Sequence, residues 1–229
     1  MKKLLIALFG LTAFTVQAQQ NADWPNLKRY DEANSKVVPP APGEKRVIYL
    51  GDSITDFWIV ADSPFFAGKP YYDRGISGQT TPQMLVRFRE DVINLKPSVV
   101  VILAGINDIA QNTGPEKLED VAGNIESMAQ LAQAAHIKVV ISSVLPANRI
   151  PWRPVIVPTE KVIQLNQMLK DYADKNNIVY LDYYSVMVDT EKGLPKNLSG
   201  DGVHPTPAGY KVMEPLAEKA IADALKRKK

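Results

Sequence analysis

Short runs of apolar residues, many of them β-branched, alternate along the chain with segments whose apolar residues recur at helical spacing. Such runs are typical of buried strands, and the helical spacing is typical of helices with one apolar face. The runs predict four strands, at residues 47–50, 98–103, 138–142 and 178–181, and a weaker fifth strand at residues 71–73.

Three helices are predicted from their apolar faces. The first face contains Leu118, Val121, Ala122, Ile125, Met128 and Ala132, and the second contains Val162, Leu165, Leu169 and Tyr172. The last helix begins near Pro207, and its inward face contains Tyr210, Met213, Ala217, Ala220, Ile221 and Ala224. Strands that are apolar throughout and alternate with helices form parallel sheets covered on both faces. We therefore predict an α/β fold, a three-layer α/β/α sandwich with a mostly parallel sheet of about five strands, wrapped like flavodoxin.

The N-terminus has the layout of a secretory signal peptide. Lys2 and Lys3 precede an apolar run, and the small-residue exit ends at Ala18. The run is shorter than the roughly 20 residues that a membrane span needs, which predicts cleavage rather than stable membrane insertion. We therefore expect a secreted or periplasmic protein with a signal peptide at 1–18, a short helix and proline-rich connector at 19–45, and one domain at 46–229.

Composition removes several classes of function. The chain of 229 residues contains no cysteine, which excludes disulfides and thiolate metal sites. It carries 27 basic and 25 acidic residues, and loss of the two lysines in the signal peptide would leave the charges balanced. A neutral chain offers no electrostatic attraction for nucleic acid, so we predict none as a partner.

Polar clusters follow the predicted strands. Residues 51–55 follow the first strand, 74–78 follow the weak strand, and 104–108 follow the strand at 98–103; a longer loop after the last strand reaches residues 201–205. Ligands of open parallel sheets bind beyond the carboxyl ends of the strands. The clusters are therefore predicted to converge at one sheet edge.

The converging residues suit acyl transfer. The Ser53 hydroxyl becomes a strong nucleophile only when a base takes its proton, and His204 is one of two histidines in the chain. Asp201 could orient the His204 imidazole. The backbone N–H groups of Ser53 and Gly75 and the side-chain amide of Asn107 could stabilise the oxyanion that forms on the ester.

The motifs Gly51-Asp52-Ser53-Ile54, Gly75, Gly105-Ile106-Asn107-Asp108 and Asp201-Gly202-Val203-His204-Pro205 resemble the four blocks of the SGNH, or GDSL-type, hydrolases. The resemblance implies that Ser53 is the nucleophile, Gly75 and Asn107 are oxyanion donors, and Asp201 and His204 complete a triad without a cofactor. Some members of such families use a Ser–His pair with a backbone carbonyl, which leaves Asp201 with an alternative. The branch that resembles platelet-activating-factor acetylhydrolase subunits is the most similar.

Structural roles compete with these assignments. Ser53 could merely cap a helix, and Asn107 could belong to a capped turn. The carboxylates Asp52, Asp56, Asp108 and Asp201 match no known metal-binding loop in their spacing, so we predict no metal site.

A long loop at residues 145–154 offers a substrate contact. Trp152 could stack on a sugar ring while Arg149 or Arg153 binds hydroxyl or acid groups. The alternative is a proline-stiffened surface loop that buries Trp152 in the core.

Together these patterns predict a serine esterase that removes short acyl groups, above all acetyl, from a small-molecule or polysaccharide ester through an acyl-enzyme. The alternatives are a lysophospholipase or thioesterase of the same family, and a non-catalytic carbohydrate-binding module that stacks sugars on Trp24, Trp58 or Trp152. The sequence predicts no oligomeric state.

Overall fold

The five apolar runs all form strands, and these pair side by side in one sheet. The computed structural model describes residues 23–227, so the predicted signal peptide lies outside the described residues. The strands are β1 (Val47–Gly51), β2 (Tyr71–Gly75), β3 (Val99–Leu103), β4 (Lys138–Ser142) and β5 (Val179–Leu181). All neighbours are parallel, in the order β2-β1-β3-β4-β5. The predicted α/β fold is confirmed.

Helices cover the sheet on both faces. The α-helices in the described chain are α1 (Asp31–Ser35), α2 (Ser53–Asp56), α3 (Trp58–Ala61), α4 (Ser63–Phe66), α5 (Thr81–Asp91), α6 (Ile106–Ile109), α7 (Leu118–Ala134), α8 (Thr159–Lys175), α9 (Tyr184–Met187) and α10 (Pro207–Lys226). Helices α5, α7 and α8 pack together on one face, and α10 packs with α3 on the other. Across residues 23–227, no helix combines the length and the apolar character needed to cross a bilayer.

The direction of strand addition reverses between β1 and β3. From β1 the chain passes outward to β2, and it then returns across β1 to β3 before continuing to β4 and β5. In open parallel sheets such a reversal leaves a crevice outside the carboxyl ends of the two strands. Every residue of β1 and β3 is buried, so the crevice stands on the most deeply packed part of the sheet.

The N-terminal segment folds against β2 rather than forming one continuous helix. Asp23 accepts the backbone N–H groups of Leu27 and Lys28 and starts a 3₁₀ turn at Leu27–Arg29, which α1 follows. Tyr30 is buried between the two, and its hydroxyl donates to the carbonyl of Gly75 at the end of β2. The segment therefore packs directly beside the strand ends.

A buried arginine fixes the end of β1. The Arg87 side chain on α5 is fully buried, and its guanidinium donates to Asp91 Oδ2 at 2.8 Å, to Gln79 Oε1 at 2.6 Å and to the carbonyl of Gly51 at 3.0 Å. Three acceptors of this kind satisfy a charge that would otherwise be costly to bury. The last carbonyl of β1 is thereby tied to the helix that follows β2.

We expect Arg87→Ala to lower the free energy of unfolding by about 3–5 kcal/mol, because it leaves the Asp91 carboxylate buried without its cation. Urea denaturation followed by circular dichroism measures the change. The exposed Arg89→Ala on the same helix is the matched control and should shift stability by less than about 0.5 kcal/mol. Equal effects of the two variants would contradict the structural role given to Arg87.

A buried carboxyl group starts the helix that carries Ser53. Asp52 is the N-cap of α2, and its Oδ1 accepts the backbone N–H of Ile54 at 2.9 Å. Its Oδ2 is buried and has no hydrogen-bond partner within residues 23–227. Burial raises the pKa of Asp52 to about 7, although the bond from Ile54 opposes the shift. The folded protein therefore holds a proton here at pH values where the unfolded chain has released it.

We expect Asp52→Asn to make stability less dependent on pH between about pH 4 and 7, because the amide oxygen still caps α2 but the side chain cannot ionise. In the wild-type protein this group contributes stability that is fully present below pH 4 and is lost as the pH rises towards 7. Urea denaturation at several pH values should show a decline that is shallower in the variant by about 1.4 kcal/mol per pH unit.

The exposed Asp171→Asn on α8 is the control and should keep the wild-type slope. Identical slopes for Asp52→Asn and the wild type would show that the Asp52 pKa is not raised.

Candidate active site

The predicted site residues come from distant parts of the chain and meet at the crevice. Ser53 is the first residue of α2, directly after β1, and Asn107 lies in α6, directly after β3. Asp201 and His204 lie in the loop that leads into α10. The loop brings its histidine back over the end of β1, so residues that are 151 positions apart come into contact.

Ser53, His204 and Asp201 form one continuous hydrogen-bonded line. Ser53 Oγ lies 2.9 Å from His204 Nε2, and His204 Nδ1 lies 2.6 Å from Asp201 Oδ2. Ser53 is buried, whereas the His204 side chain is 24% exposed and faces the crevice. A hydroxyl so placed against an imidazole can pass its proton to the ring as it attacks a carbonyl carbon.

The environment of Asp201 fixes the proton on the imidazole. Partial burial acts to raise the pKa of Asp201, but bonds from the His204 side chain and from the backbone N–H groups of His204 and Val203 outweigh it and lower the pKa to about 2. The ionised carboxylate can only accept, so Nδ1 of His204 carries the hydrogen. Nε2 is then free to accept the hydrogen of the Ser53 hydroxyl.

Local turn chemistry holds the histidine loop in shape. Asp201 Oδ1 accepts the backbone N–H groups of Val203 and His204, each at 2.8 Å. Gly202 adopts a φ of 93°, a conformation that side-chain-bearing residues rarely take. Its N–H donates to Ser199 Oγ at 2.9 Å, and an antiparallel bridge joins Ser199 to Pro205. Asp201 is thus both part of the loop and the partner of His204.

Two of the predicted oxyanion donors face the crevice with hydrogen-bonding capacity to spare. The backbone N–H of Ser53 stands at the start of α2, where helical N–H groups lack intrahelical partners, and it has no acceptor within residues 23–227. Asn107 is buried, and its Nδ2 donates one hydrogen to the carbonyl of Gln79 at 3.1 Å. The second hydrogen of this amide remains for a ligand.

The prediction that Gly75 supplies a backbone donor is wrong. Gly75 is the last residue of β2, and its N–H donates to Asp73 Oδ1 at 2.7 Å. A Cβ atom at this position would stand 2.0 Å from the backbone nitrogen of Asp56. The glycine is therefore needed for the close packing of β2 against α2, and its N–H is already used.

Gly78, three residues later, occupies the position that was expected for Gly75. Its loop is tied to α2 because Ser77 Oγ donates to Asp56 Oδ2 at 2.6 Å, and it is tied to α6 because Asn107 donates to Gln79. Gly78 is exposed, has a φ of 80° and has no acceptor for its N–H in the described chain. Extension of the predicted strand to residue 75 would have identified Gly78 as the first glycine of the loop.

Aromatic rings stand on both sides of the histidine. The Phe57 ring centre lies 5.4 Å and the Trp152 ring centre 5.8 Å from that of His204. Trp152 is 38% exposed, so the alternative in which it is buried in the core is wrong. Its Nε1 donates at 3.0 Å to Asn112 Oδ1, a residue that the sequence did not single out because it lies beyond the motif of α6.

The two arginines of this loop differ in their surroundings. Arg149 Nε donates to the carbonyl of Asp201 at 2.9 Å, so Arg149 supports the histidine loop. Arg153 is exposed, and its side chain has no hydrogen bond within residues 23–227. A role for either in substrate binding stays a prediction.

The carboxylates near the crevice serve the protein framework. Asp52 caps α2, Asp56 accepts Ser77, and Asp108 Oδ1 accepts both the backbone N–H and the hydroxyl of Thr81, at 2.8 and 2.6 Å. Within residues 23–227 no three histidine or carboxylate side chains are grouped as ligands of a metal ion. Trp58 is buried in the core, where it stacks on Phe65.

Solved structures from two Bacteroides species are similar to this protein. A Bacteroides fragilis protein assigned as an acylhydrolase is 48% identical, has a TM-score of 0.87, and aligns over 89% of this chain and 99% of its own. A GDSL-like lipase from Bacteroides thetaiotaomicron is 47% identical, has a TM-score of 0.85, and aligns over 87% and 98%. An acetylxylan esterase from Geobacillus stearothermophilus is 26% identical over 149 residues, covering 62% of this chain and 67% of the esterase.

The model of the GDSL-like lipase/acylhydrolase family matches residues 49–212. This span begins in β1, ends in α10, and contains Ser53, Asn107, Asp201 and His204. The resemblance seen in the four sequence motifs is confirmed, and the chain belongs to the GDSL-like lipase/acylhydrolase family of carboxylic ester hydrolases.

Proposed function

We propose that this protein is a serine esterase that removes short acyl groups, chiefly acetyl, from carbohydrate esters. The observation that carries the proposal is the unbroken line from Ser53 through His204 to Asp201, with distances of 2.9 and 2.6 Å. It ends in a crevice beside hydrogen-bond donors. Such a constellation activates a hydroxyl and stabilises the charge that its attack creates.

The first half of the reaction forms an acyl-enzyme. Ser53 Oγ attacks the ester carbonyl carbon while His204 Nε2 takes the hydroxyl proton, and Asp201 stabilises the resulting imidazolium. The oxyanion accepts hydrogen bonds from the backbone N–H groups of Ser53 and Gly78 and from Asn107 Nδ2. The tetrahedral intermediate then collapses, the carbon–oxygen bond to the sugar breaks, and His204 returns its proton to the leaving alcohol.

The second half releases the acyl group to water. A water molecule takes the place of the alcohol, gives a proton to His204 Nε2, and attacks the acyl carbon. Collapse of the second intermediate breaks the bond to Ser53 Oγ, which regains the proton from His204. The products are one carboxylic acid and one alcohol, and the enzyme returns to its starting protonation state.

Packing beneath the site favours a short acyl group. Ile54, Ile106 and Val203, which each neighbour a proposed catalytic residue in sequence, line a small apolar void that has no room for a water molecule. A long acyl chain could not enter it and would have to lie along the protein surface. Acetyl needs no such space.

The carbohydrate part of the proposal rests on the rim of the crevice. Trp152 presents an exposed ring beside His204, and exposed aromatic rings combine a large apolar face with a polar edge. The similarity to an acetylxylan esterase and the predicted export, which would bring the protein to polysaccharides, support the same substrate class.

A lysophospholipase is the second candidate. Phe57, Ile59 and Val60, at the start of α3, are exposed apolar residues close to His204. These side chains could carry an acyl chain along the surface.

The nucleophile is tested with Ser53→Ala. We expect hydrolysis of p-nitrophenyl acetate to fall to the level without enzyme, because no other hydroxyl is held against His204, while circular dichroism shows an unchanged fold. Ser127→Ala on α7, whose hydroxyl donates to the carbonyl of Gly123, is the matched control and should keep full activity. Hydrolysis by Ser53→Ala at the wild-type rate would refute the assignment.

The acyl preference is tested with p-nitrophenyl esters of increasing chain length, followed by acetylated xylo-oligosaccharides and lysophosphatidylcholine. We expect kcat/KM to fall by at least roughly tenfold from acetyl to octanoyl, about the cost of one or two methylene groups that find no pocket. A rise along the series, together with release of fatty acid from the lysophospholipid, would favour the second candidate instead.

A further inference from the structure

A line of side-chain amides joins the rim of the crevice to the oxyanion site. Trp152 Nε1 donates to Asn112 Oδ1 at 3.0 Å, and Asn112 Nδ2 donates to Asn107 Oδ1 at 2.9 Å and to the carbonyl of Gly78 at 3.1 Å. Asn107 Nδ2 in turn donates to the carbonyl of Gln79 at 3.1 Å. We call Trp152, Asn112 and Asn107 the amide chain.

The two ends of the amide chain set its polarity. An asparagine amide can turn over and exchange its oxygen and nitrogen, so its orientation depends on its partners. An indole N–H can only donate, and the carbonyls of Gly78 and Gln79 can only accept. If Asn112 turned over, its NH₂ group would face the indole N–H and its oxygen would face the Gly78 carbonyl. Both contacts would be repulsive.

This polarity decides what Asn107 presents to a substrate. With Asn112 donating to Asn107 Oδ1, the oxygen of Asn107 is held away from the reaction and its Nδ2 keeps one free hydrogen. With Asn107 reversed, an oxygen would face the oxyanion and oppose its formation. The orientation of one amide therefore separates a stabilised from a repelled transition state.

We propose that Asn112 is a positioning residue for the oxyanion amide, and that the Trp152 indole N–H fixes Asn112 in turn. The residue whose ring we assign to the substrate thereby also orders the group that stabilises the reaction. This inference rests on the proposed esterase function and adds two residues to its machinery.

The local backbone does not depend on these contacts. The backbone N–H of Asn112 donates to the carbonyl of Asn107 at 3.0 Å whatever side chain is present. Asn112 is only half-buried and Trp152 is exposed, so loss of their side-chain bond should cost little stability. Effects on turnover can therefore be separated from unfolding.

Asn112→Asp is the sharpest variant because it keeps the shape and the acceptor for Trp152 but replaces the donor with an oxygen. Removal of a whole oxyanion donor, as in Asn107→Ala, costs roughly a hundred- to a thousandfold in kcat. We expect Asn112→Asp to lower kcat for p-nitrophenyl acetate by roughly ten- to a hundredfold, with KM within about twofold, the pattern of an interaction made only in the transition state. Asn176→Asp, at the distant end of α8, is the control and should act like the wild type.

Trp152→Phe keeps a ring on the rim but removes the N–H. We expect it to lower kcat for the same small ester, which has no sugar to stack, and to cause no further loss in an Asn112→Asp background. A wild-type kcat in Asn112→Asp would overturn the proposal. A rise in KM alone in Trp152→Phe would make Trp152 a binding surface and nothing more, which also overturns it.

The test separates this inference from the esterase assignment. If the wild-type protein hydrolyses no ester, the proposed function fails, and the amide chain is then judged by nuclear magnetic resonance. Trp152→Phe should shift the side-chain amide signals of Asn112 and Asn107 in a ¹⁵N-labelled protein, whereas unchanged signals would overturn the proposed coupling. If the wild type is active and Ser53→Ala is not, a fully active Asn112→Asp removes the amide chain and leaves the esterase intact.

Discussion

The hydrogen bond of 2.9 Å between Ser53 Oγ and His204 Nε2 is the contact on which the proposed chemistry depends. It joins the end of the first strand to the last loop of the chain, so nearly the whole fold must form before it exists. The sheet and α2 hold Ser53 in a buried position, while the loop at 199–205 is shaped by its own hydrogen bonds. A rigid hydroxyl thus meets a histidine whose orientation is set locally.

Buried polar groups make this arrangement rigid. Arg87 ties the last carbonyl of β1 to α5, and Asp52 caps the helix that begins with Ser53. Both are placed where an unsatisfied polar group would be costly, so neither can move without a loss of stability. The amide chain extends the same principle to the rim, because donor-only and acceptor-only groups leave its asparagines one favourable orientation.

The sequence patterns fail where neighbouring elements crowd one another. The run that predicted a strand at 71–73 continues to Gly75, because β1 offers hydrogen-bond partners to two residues that carry no apolar side chain to reveal them. That extension moves Gly75 into the strand and leaves Gly78 in the loop. Asn112 is invisible for a related reason: its importance lies in contacts with Trp152 and Asn107, and nothing in its own sequence neighbourhood marks it.

The sequence by itself determined the five strands, the long helices and the residues Ser53, Asn107, Asp201 and His204, because apolar periodicity and short motifs are local properties of a chain. Tertiary structure alone decided which glycine N–H is free, which nitrogen of His204 faces Ser53, and which way Asn107 points. Those choices depend on donors and acceptors that arrive from other strands and loops. They are fixed only when the desolvated groups are brought together and each must find a complementary partner.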